Sequence, residues 1–294
     1  MHYNGPIVRP QTDANSIFIE VTVGCTHNSC TFCNFYHGYP FRMAPLSQIE
    51  AALKEVAAVR PKARQVWASG GNPYALPTDR LARVGRLIRQ YLPRAEISTY
   101  ARVDDLTRKS AEEMRHLKEL GWGDLVVGFE TGDDEVLAHV NKGYTAKDIL
   151  EGCRRLEEAG VAYRMIQLGG LAGRGRCVDS AIKTARLLNQ LHPYRMYLNS
   201  VSILPDTELY EEREAGLFVE ASQRERIEEF IALLEHMEHE IEVFAAPNTT
   251  PFSFFVDLQP CKEELLRQMR LLADSITEED ELRCQVQRSA RRSV

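Results

Sequence analysis

A chain of 294 residues is long enough for two ordinary domains, or for one α/β barrel with an appended segment. Its 44% apolar and 27% charged residues exclude a disordered chain, and a net charge of −6 weighs against a large nucleic-acid partner held through its phosphates. There is no apolar run of the ~18 residues a membrane span needs, and the opening MHYNGPIVRPQTD has neither the cationic end nor the apolar stretch of a signal peptide. The expectation is a cytoplasmic protein without a membrane partner.

Taken in chain order, Ile17–Val23 is rich in β-formers and stops at Gly24, which predicts a first strand. Residues 46–59 have helical spacing after Pro45, and Gln65–Ser69 reads as a strand ending in the turn Gly70-Gly71-Asn72-Pro73. A helix follows over 78–91, then a strand over 95–100. The next helix covers 110–120, opening on Ser110 and Glu113 as a capping box. Leu125–Phe129 is a strand, followed by helices near 133–140 and over 146–159. Residues 161–168 form a strand, 178–191 a helix, 196–204 a sixth strand and 207–215 a helix. Helices are expected over 222–240 and 263–275, while the basic tail from Arg283 to Val294 reads as a frayed end.

Six strand-then-helix units imply parallel strands joined by right-handed crossovers. The predicted fold is α/β, a partial (β/α)6 barrel over residues 1–215, with a mainly helical extension over 216–294 that is a candidate lid for the substrate site.

Seven cysteines are too few for a disulfide scaffold in a chain of this length, and three of them, Cys25, Cys30 and Cys33, fall within nine residues directly after the first strand. Parallel sheets and barrels place their ligand sites at this carboxyl end of the strands. Thiolates select zinc, copper(I) or iron–sulfur centres. Structural zinc needs four protein ligands, so a zinc-stabilised binding protein would have to recruit His27, His37 or a distant cysteine. Three thiolates on a [4Fe–4S] cluster would instead leave one iron open to an exogenous ligand, which suits catalysis. A hydrolase or phosphate-binding α/β protein using Gly70–Gly71 lacks both a G-x-S-x-G elbow and a P-loop.

The segment Gly24-Cys25-Thr26-His27-Asn28-Ser29-Cys30-Thr31-Phe32-Cys33 resembles the radical S-adenosylmethionine superfamily, and within it a bacterial subgroup with a G-C-[ST]-H-N-x-C-[ST]-F-C motif. The spacing is C-x4-C-x2-C, one residue longer than the usual C-x3-C-x2-C, and Phe32 holds the aromatic place before the last cysteine. The resemblance covers roughly residues 1–215. It implies a [4Fe–4S] cluster on Cys25, Cys30 and Cys33, with S-adenosylmethionine chelated through its amino and carboxylate groups to the open iron. Gly70 and Gly71 match the glycine-rich turn that contacts the cofactor's amino group, although Asn72 stands where an acidic residue is common. Glu130, at the end of the fourth strand in Gly128-Phe129-Glu130-Thr131-Gly132, is placed to meet the amino group or ribose, and Lys142 to pair across that turn. Arg102 is a candidate for the cofactor carboxylate. Gln167 and Gly169 fall where the adenine approaches, and Asn199 and Leu204 near the sixth strand's end are candidate lining.

The implied activity is reductive cleavage of the cofactor to methionine and a 5′-deoxyadenosyl radical, which abstracts hydrogen from a substrate. A shifted cluster could expose another carbon–sulfur bond and give aminocarboxypropyl chemistry instead. The implied partners are an unidentified substrate and a low-potential electron donor such as flavodoxin or ferredoxin. The loop Phe35-Tyr36-His37, Tyr39, Phe41 and Arg42 is expected to shield the cluster or contact substrate, and the polar-aromatic segment Asn248–Phe255 reaches the site only if the carboxyl-terminal part folds over the barrel mouth.

Overall fold

The computed structural model describes residues 3–247 and 250–290. Asn248, Thr249 and the last four residues of the basic tail lie outside them. The elements run β1 (Ile17–Glu20), β2 (Thr22–Val23), β3 (Arg42–Met43), α1 (Leu46–Val59), β4 (Gln65–Ser69), α2 (Thr78–Tyr91), β5 (Glu96–Ala101), α3 (Val103–Thr107) and α4 (Ala111–Glu119). They continue with β6 (Trp122–Glu130), α5 (Asp134–His139), α6 (Ala146–Ala159), β7 (Ala162–Gly169), α7 (Cys177–Leu188), β8 (Arg195–Ser200) and α8 (Glu208–Glu214). The last part holds α9 (Gln223–His236), β9 (Glu242–Ala245), β10 (Phe254–Asp257), α10 (Leu258–Ser275) and α11 (Glu278–Ser289).

Strand order is β1-β4-β5-β6-β7-β8-β9-β10. The main strands therefore follow one another in chain order, with none of the reversal that makes a switch point in a doubly wound sheet. Within this sheet the pairs β1–β4, β4–β5, β5–β6 and β8–β9 are parallel, and β10 runs antiparallel to β9. This is the α/β architecture expected of a partial barrel. The six predicted strands are present as β1, β4, β5, β6, β7 and β8.

Several expectations need correction. The first strand is broken after Glu20: Thr22–Val23 leaves β1 and pairs with β3 as a separate hairpin. The sixth ends at Ser200 rather than at 204. The segment after 215 is helical as expected, but it also adds β9 and β10, whose runs are too short to stand out by periodicity. The tail is a helix, α11, through Ser289, and Arg288 is anchored on Glu220 at 2.6 Å. A frayed end is not what the described part of it forms.

The chain divides into two compact units. The first comprises residues 1–28, 35–128 and 151–164. Its core is built on Trp67 and Trp122, both fully buried, with the Trp122 indole N–H donating to the Leu81 carbonyl at 3.0 Å. Inside it Arg164 forms buried ion pairs with Asp13 and Asp124, while Ser98 donates to Asp124 at 3.0 Å. The second comprises residues 29–34, 129–150 and 165–294. In it α9 packs on α7 and α10, and Val136, Val140, Leu171, Cys177, Val201 and Leu209 form an apolar cluster with Phe32 against it.

Candidate functional site

The cysteine motif occupies the long connection of the β2–β3 hairpin. At its start, in the first unit, β2 runs into Gly24, whose φ of +79° only glycine adopts without strain. The Gly24 carbonyl accepts the Gly71 N–H at 3.0 Å. A Cβ on Gly71 would lie 2.5 Å from that carbonyl oxygen and 2.9 Å from the Cys25 Cα, so the turn after β4 is pressed against the backbone that carries the first cysteine. A Cβ on Gly70 would strike Thr22 Oγ1.

Asn72 is wholly buried and grips the next residue of the motif. Its Oδ1 accepts the Thr26 N–H at 3.0 Å, and its Nδ2 donates to Thr26 Oγ1 at 2.7 Å and to the Asp105 carboxylate at 2.9 and 3.2 Å. Asp105 also accepts the Arg102 N–H at 2.8 Å, starting α3. Burial pushes its carboxyl up to about 6, against the lowering effect of those two donors. Nearby, Lys109 donates to the Tyr74 carbonyl at 2.7 Å and burial holds its ammonium below the usual lysine range. The buried Tyr74 hydroxyl has no hydrogen-bond partner among the described residues. The Arg102 guanidinium is buried and donates to Asp104 at 2.9 Å. The aromatic loop is tied to the motif's start, since Asn28 donates to the Tyr36 carbonyl at 3.1 Å.

The second unit holds the rest of the motif. The Cys33 N–H donates to the Cys30 carbonyl at 3.1 Å, a tight turn around Thr31 and Phe32. Thr31 is clasped on both sides: its N–H donates to Val140 at 3.2 Å and its carbonyl accepts the Leu209 N–H at 2.9 Å. Asn141 donates to the Ser29 carbonyl at 2.8 Å and Asn34 to the Pro205 carbonyl at 3.1 Å. Lys142 forms the buried pair with Glu130 at 2.9 Å that the sequence suggested, and its ammonium lies 5.8 Å from the centre of the Phe32 ring and 5.4 Å from that of Tyr144. Glu130 itself has φ +66°, a left-handed conformation costly for a side-chain-bearing residue.

At the carboxyl end of β7, Gln167 is buried with its Oε1 meeting no donor among the described residues. A buried carbonyl of this kind ordinarily has a partner, so it fits a ligand donor. The glycines beside it serve packing: a Cβ on Gly169 would lie 2.8 Å from Phe230, and one on Gly170 2.6 Å from the Arg226 guanidinium. The room that Gly169 gives is filled by α9. Leu204 is buried and its carbonyl accepts the hydroxyl of Thr207, the N-cap of α8, at 2.7 Å, while Asn199 is half-buried near the end of β8.

Cys25, Cys30 and Cys33 are half-buried and in no disulfide. Cys153 and Cys177 are buried, with thiols pushed up by burial. Among the described residues no group of three or more His, Cys, Asp or Glu is arranged to hold a single metal ion, as structural zinc would require. Sequence reasoning missed Thr26, Thr31 and Asp105. The R-V-D-D-L start of α3 was the available signal for Asp105, an acidic residue three positions after a helix N-cap.

A profile of the Radical SAM superfamily matches residues 19–188, a span that takes in the three cysteines, the Gly70–Gly71 turn, Glu130 and Gln167. The chain belongs to the radical SAM superfamily. Its cofactors are accordingly a [4Fe–4S] cluster and S-adenosylmethionine. A curated relative, the heme chaperone HemW of Bacillus subtilis, is 26% identical in an alignment of 235 residues that covers 74% of this chain and 60% of HemW. Among solved structures, coproporphyrinogen III oxidase from Escherichia coli aligns with 75% of this radical SAM chain and 52% of its own, at 21% identity and TM-score 0.56. Methylornithine synthase aligns with 87% of this chain and 81% of its own, at 13% identity and TM-score 0.53. These likenesses establish the fold. The chain spans about 60% of the length of HemW and about half that of the oxidase. No described helix is long and apolar enough to cross a membrane.

Proposed function

We propose that this protein is a radical S-adenosylmethionine enzyme that abstracts hydrogen from a substrate, with Cys25, Cys30 and Cys33 holding the cluster. The observation that carries the reading is that three half-buried cysteines fall within nine residues of the family-matched segment. When bound, the cluster and S-adenosylmethionine supply reductive cleavage of the sulfonium bond and a carbon radical that removes a substrate hydrogen.

The chain's own residues bind, orient and exclude water. Gly71 backs onto Cys25 and sets where that thiolate is presented. The Asn72 side chain is spent on Thr26 and Asp105, so this turn offers the cofactor's ammonium its backbone carbonyls. Lys142 holds the Glu130 carboxylate in place, and Phe32 covers the apolar cluster under the motif. Gln167 Oε1 is an acceptor for the nucleoside. Arg102, anchored on Asp104, is the candidate for the cofactor carboxylate, and Asn199 and Leu204 are candidate lining residues. Residues 216–294 act as a substrate-side lid, a role supported by Phe230 and Arg226 filling the space beside Gly169 and Gly170. Reduction requires a low-potential donor such as flavodoxin or ferredoxin.

The test is anaerobic reconstitution followed by product analysis. Wild-type protein is expected to carry four irons and four sulfides per chain as a [4Fe–4S] centre, and each cysteine-to-alanine variant to lose most of them. With dithionite or a lower-potential donor, 5′-deoxyadenosine and methionine are the expected products; an aminocarboxypropyl product would reassign the bond cleaved. Glu130→Ala is expected to weaken cofactor binding while leaving iron content intact. Full cluster and bound cofactor with neither product would overturn the reading. The relative's name sets a competing function, carriage of heme, and stoichiometric heme binding without cofactor cleavage would favour it.

A further inference from the structure

We propose that Asp105 is a positioning residue for the cysteine motif: its carboxylate fixes the orientation of the Asn72 amide, and that amide fixes the backbone beside Cys25. The inference rests on the proposed role of Cys25, but its first test does not.

An asparagine amide fits its space equally well in two orientations, which exchange a carbonyl oxygen for an NH2 group. Here the two neighbours admit only one. The Asp105 carboxylate accepts the Arg102 N–H at 2.8 Å, and on the Asn72 side it meets Nδ2 at 2.9 and 3.2 Å. An ionised carboxylate only accepts, so the NH2 must face it. The Thr26 backbone N–H only donates, so Oδ1 must face it, as it does at 3.0 Å. Thr26 Oγ1 closes the set by accepting from Nδ2 at 2.7 Å. Asp105 and Asn72 are both fully buried, so water cannot stand in for a lost partner. The chain of acceptor, donor, acceptor and donor therefore runs from α3 to the residue after Cys25, and it has one self-consistent arrangement.

The logic makes an unusual demand of variants. In Asp105→Asn an amide must serve both the Arg102 N–H and the Asn72 NH2, and one of its two ends is then a donor facing a donor. In Asn72→Asp two carboxylates face each other without water. Asp105 Oδ2 accepts both the Arg102 N–H and Asn72 Nδ2, while Oδ1 lies 3.2 Å from that nitrogen. In the exchanged pair Asn72→Asp with Asp105→Asn the new amide keeps its oxygen on the Arg102 N–H and turns its NH2, in the Oδ1 place, to residue 72, whose carboxylate also accepts from Thr26. The role thus follows the pattern of donors and acceptors, and neither residue type alone.

The experiment is hydrogen exchange of the full-length apo protein, reading the Thr26 amide against Val66 in β4 as a core control, with alkylation of Cys25 followed by mass spectrometry against exposed Cys261. Each single variant is expected to speed Thr26 exchange by about tenfold, the loss of one hydrogen bond, with Val66 unchanged and Cys25 alkylation faster relative to Cys261. The exchanged pair is expected to return both to near wild type. Unchanged Thr26 protection in Asp105→Asn, an exchanged pair as unprotected as the singles, or loss of protection at Thr26 and Val66 in step would each overturn the proposal. If a single variant does not fold, the exchanged pair decides alone, since it regains protection only if the pattern is what matters. In reconstituted protein the singles are expected to release iron to a chelator faster than wild type. A wild type that assembles no cluster would overturn the proposed function and leave the exchange result standing.

Discussion

Gly71 shows how little space separates the turn after β4 from the first cysteine. Its added Cβ would meet backbone on two sides, and backbone cannot move aside as a side-chain tip can. Gly71→Ala is expected to cost about 1–3 kcal/mol in denaturant unfolding and to reduce cluster retention. Gly38→Ala is the control: φ is +78° there, but no atom lies within 4 Å, so only the conformational cost of roughly 1–2 kcal/mol applies and the cluster should be retained. The Lys142–Glu130 pair gives a second measurement at this scale. Both side chains are nearly inaccessible, 5% and 10% exposed, so Lys142→Met leaves a buried carboxylate without its cation and is expected to cost about 3–5 kcal/mol. Adding Glu130→Gln should recover most of that loss. A double-mutant cycle by denaturant unfolding reads the coupling, and additive losses would show that the pair is not a unit.

At the scale of elements, α11 meets the start of α9 through Glu281 and through Arg288, which donates to the Gln223 side chain at 2.6 Å. Glu281 accepts the N–H groups of Gln223 and Arg224 at 2.6 and 2.8 Å, two donors that the first turn of a helix leaves unsatisfied. Ser222 and Glu225 add a capping box at the same end. Glu281→Gln keeps the shape and removes the charge, which complements the helix dipole. The expected result is faster amide exchange at residues 223 and 224, a stability loss of about 1 kcal/mol, and little change at the far end of α9. Uniform exchange along α9 would instead mean that α11 holds the helix by packing. The geometry favours the local effect, because α11 has no buried residue of its own.

For the whole molecule, the relevant property is the pH dependence of stability, since several carboxyls are buried. Burial pushes Glu229 up to about 7 from an ordinary glutamate value near 4.5, although it accepts the Gly170 N–H and faces Arg226. The folded state therefore keeps a proton that the unfolded chain releases. The stability this group contributes is full below about 4.5 and is lost as pH rises through about 7. Glu229→Gln cannot titrate, so it should gain on wild type as pH rises across that window. Denaturant midpoints at pH 5 and pH 8 check it, and a gap between the two proteins that stays constant would show that Glu229 does not carry the effect.

Sequence alone determined the features that depend on neighbours along the chain. The spacing of apolar residues placed α1, β4 and α2 with their observed bounds, because period and terminal signals such as Pro45 and the Gly70 turn are local. Ser110 and Glu113 form their capping box for the same reason. The cysteine motif was legible because three thiols in nine residues have few uses, and its family followed from Gly24–Cys33. Tertiary structure alone decided what depends on residues far apart in the chain. The short β9 and β10 exist because β8 offers an edge to pair with, and no period within four residues announces them. Gly169 looked open to a ligand, yet Phe230, some sixty positions later, fills its space. Asp105 gained its place only when folding put Asn72 against it, 33 residues apart, and buried both; a hydrogen bond between such residues follows from the path of the backbone, which no local pattern encodes.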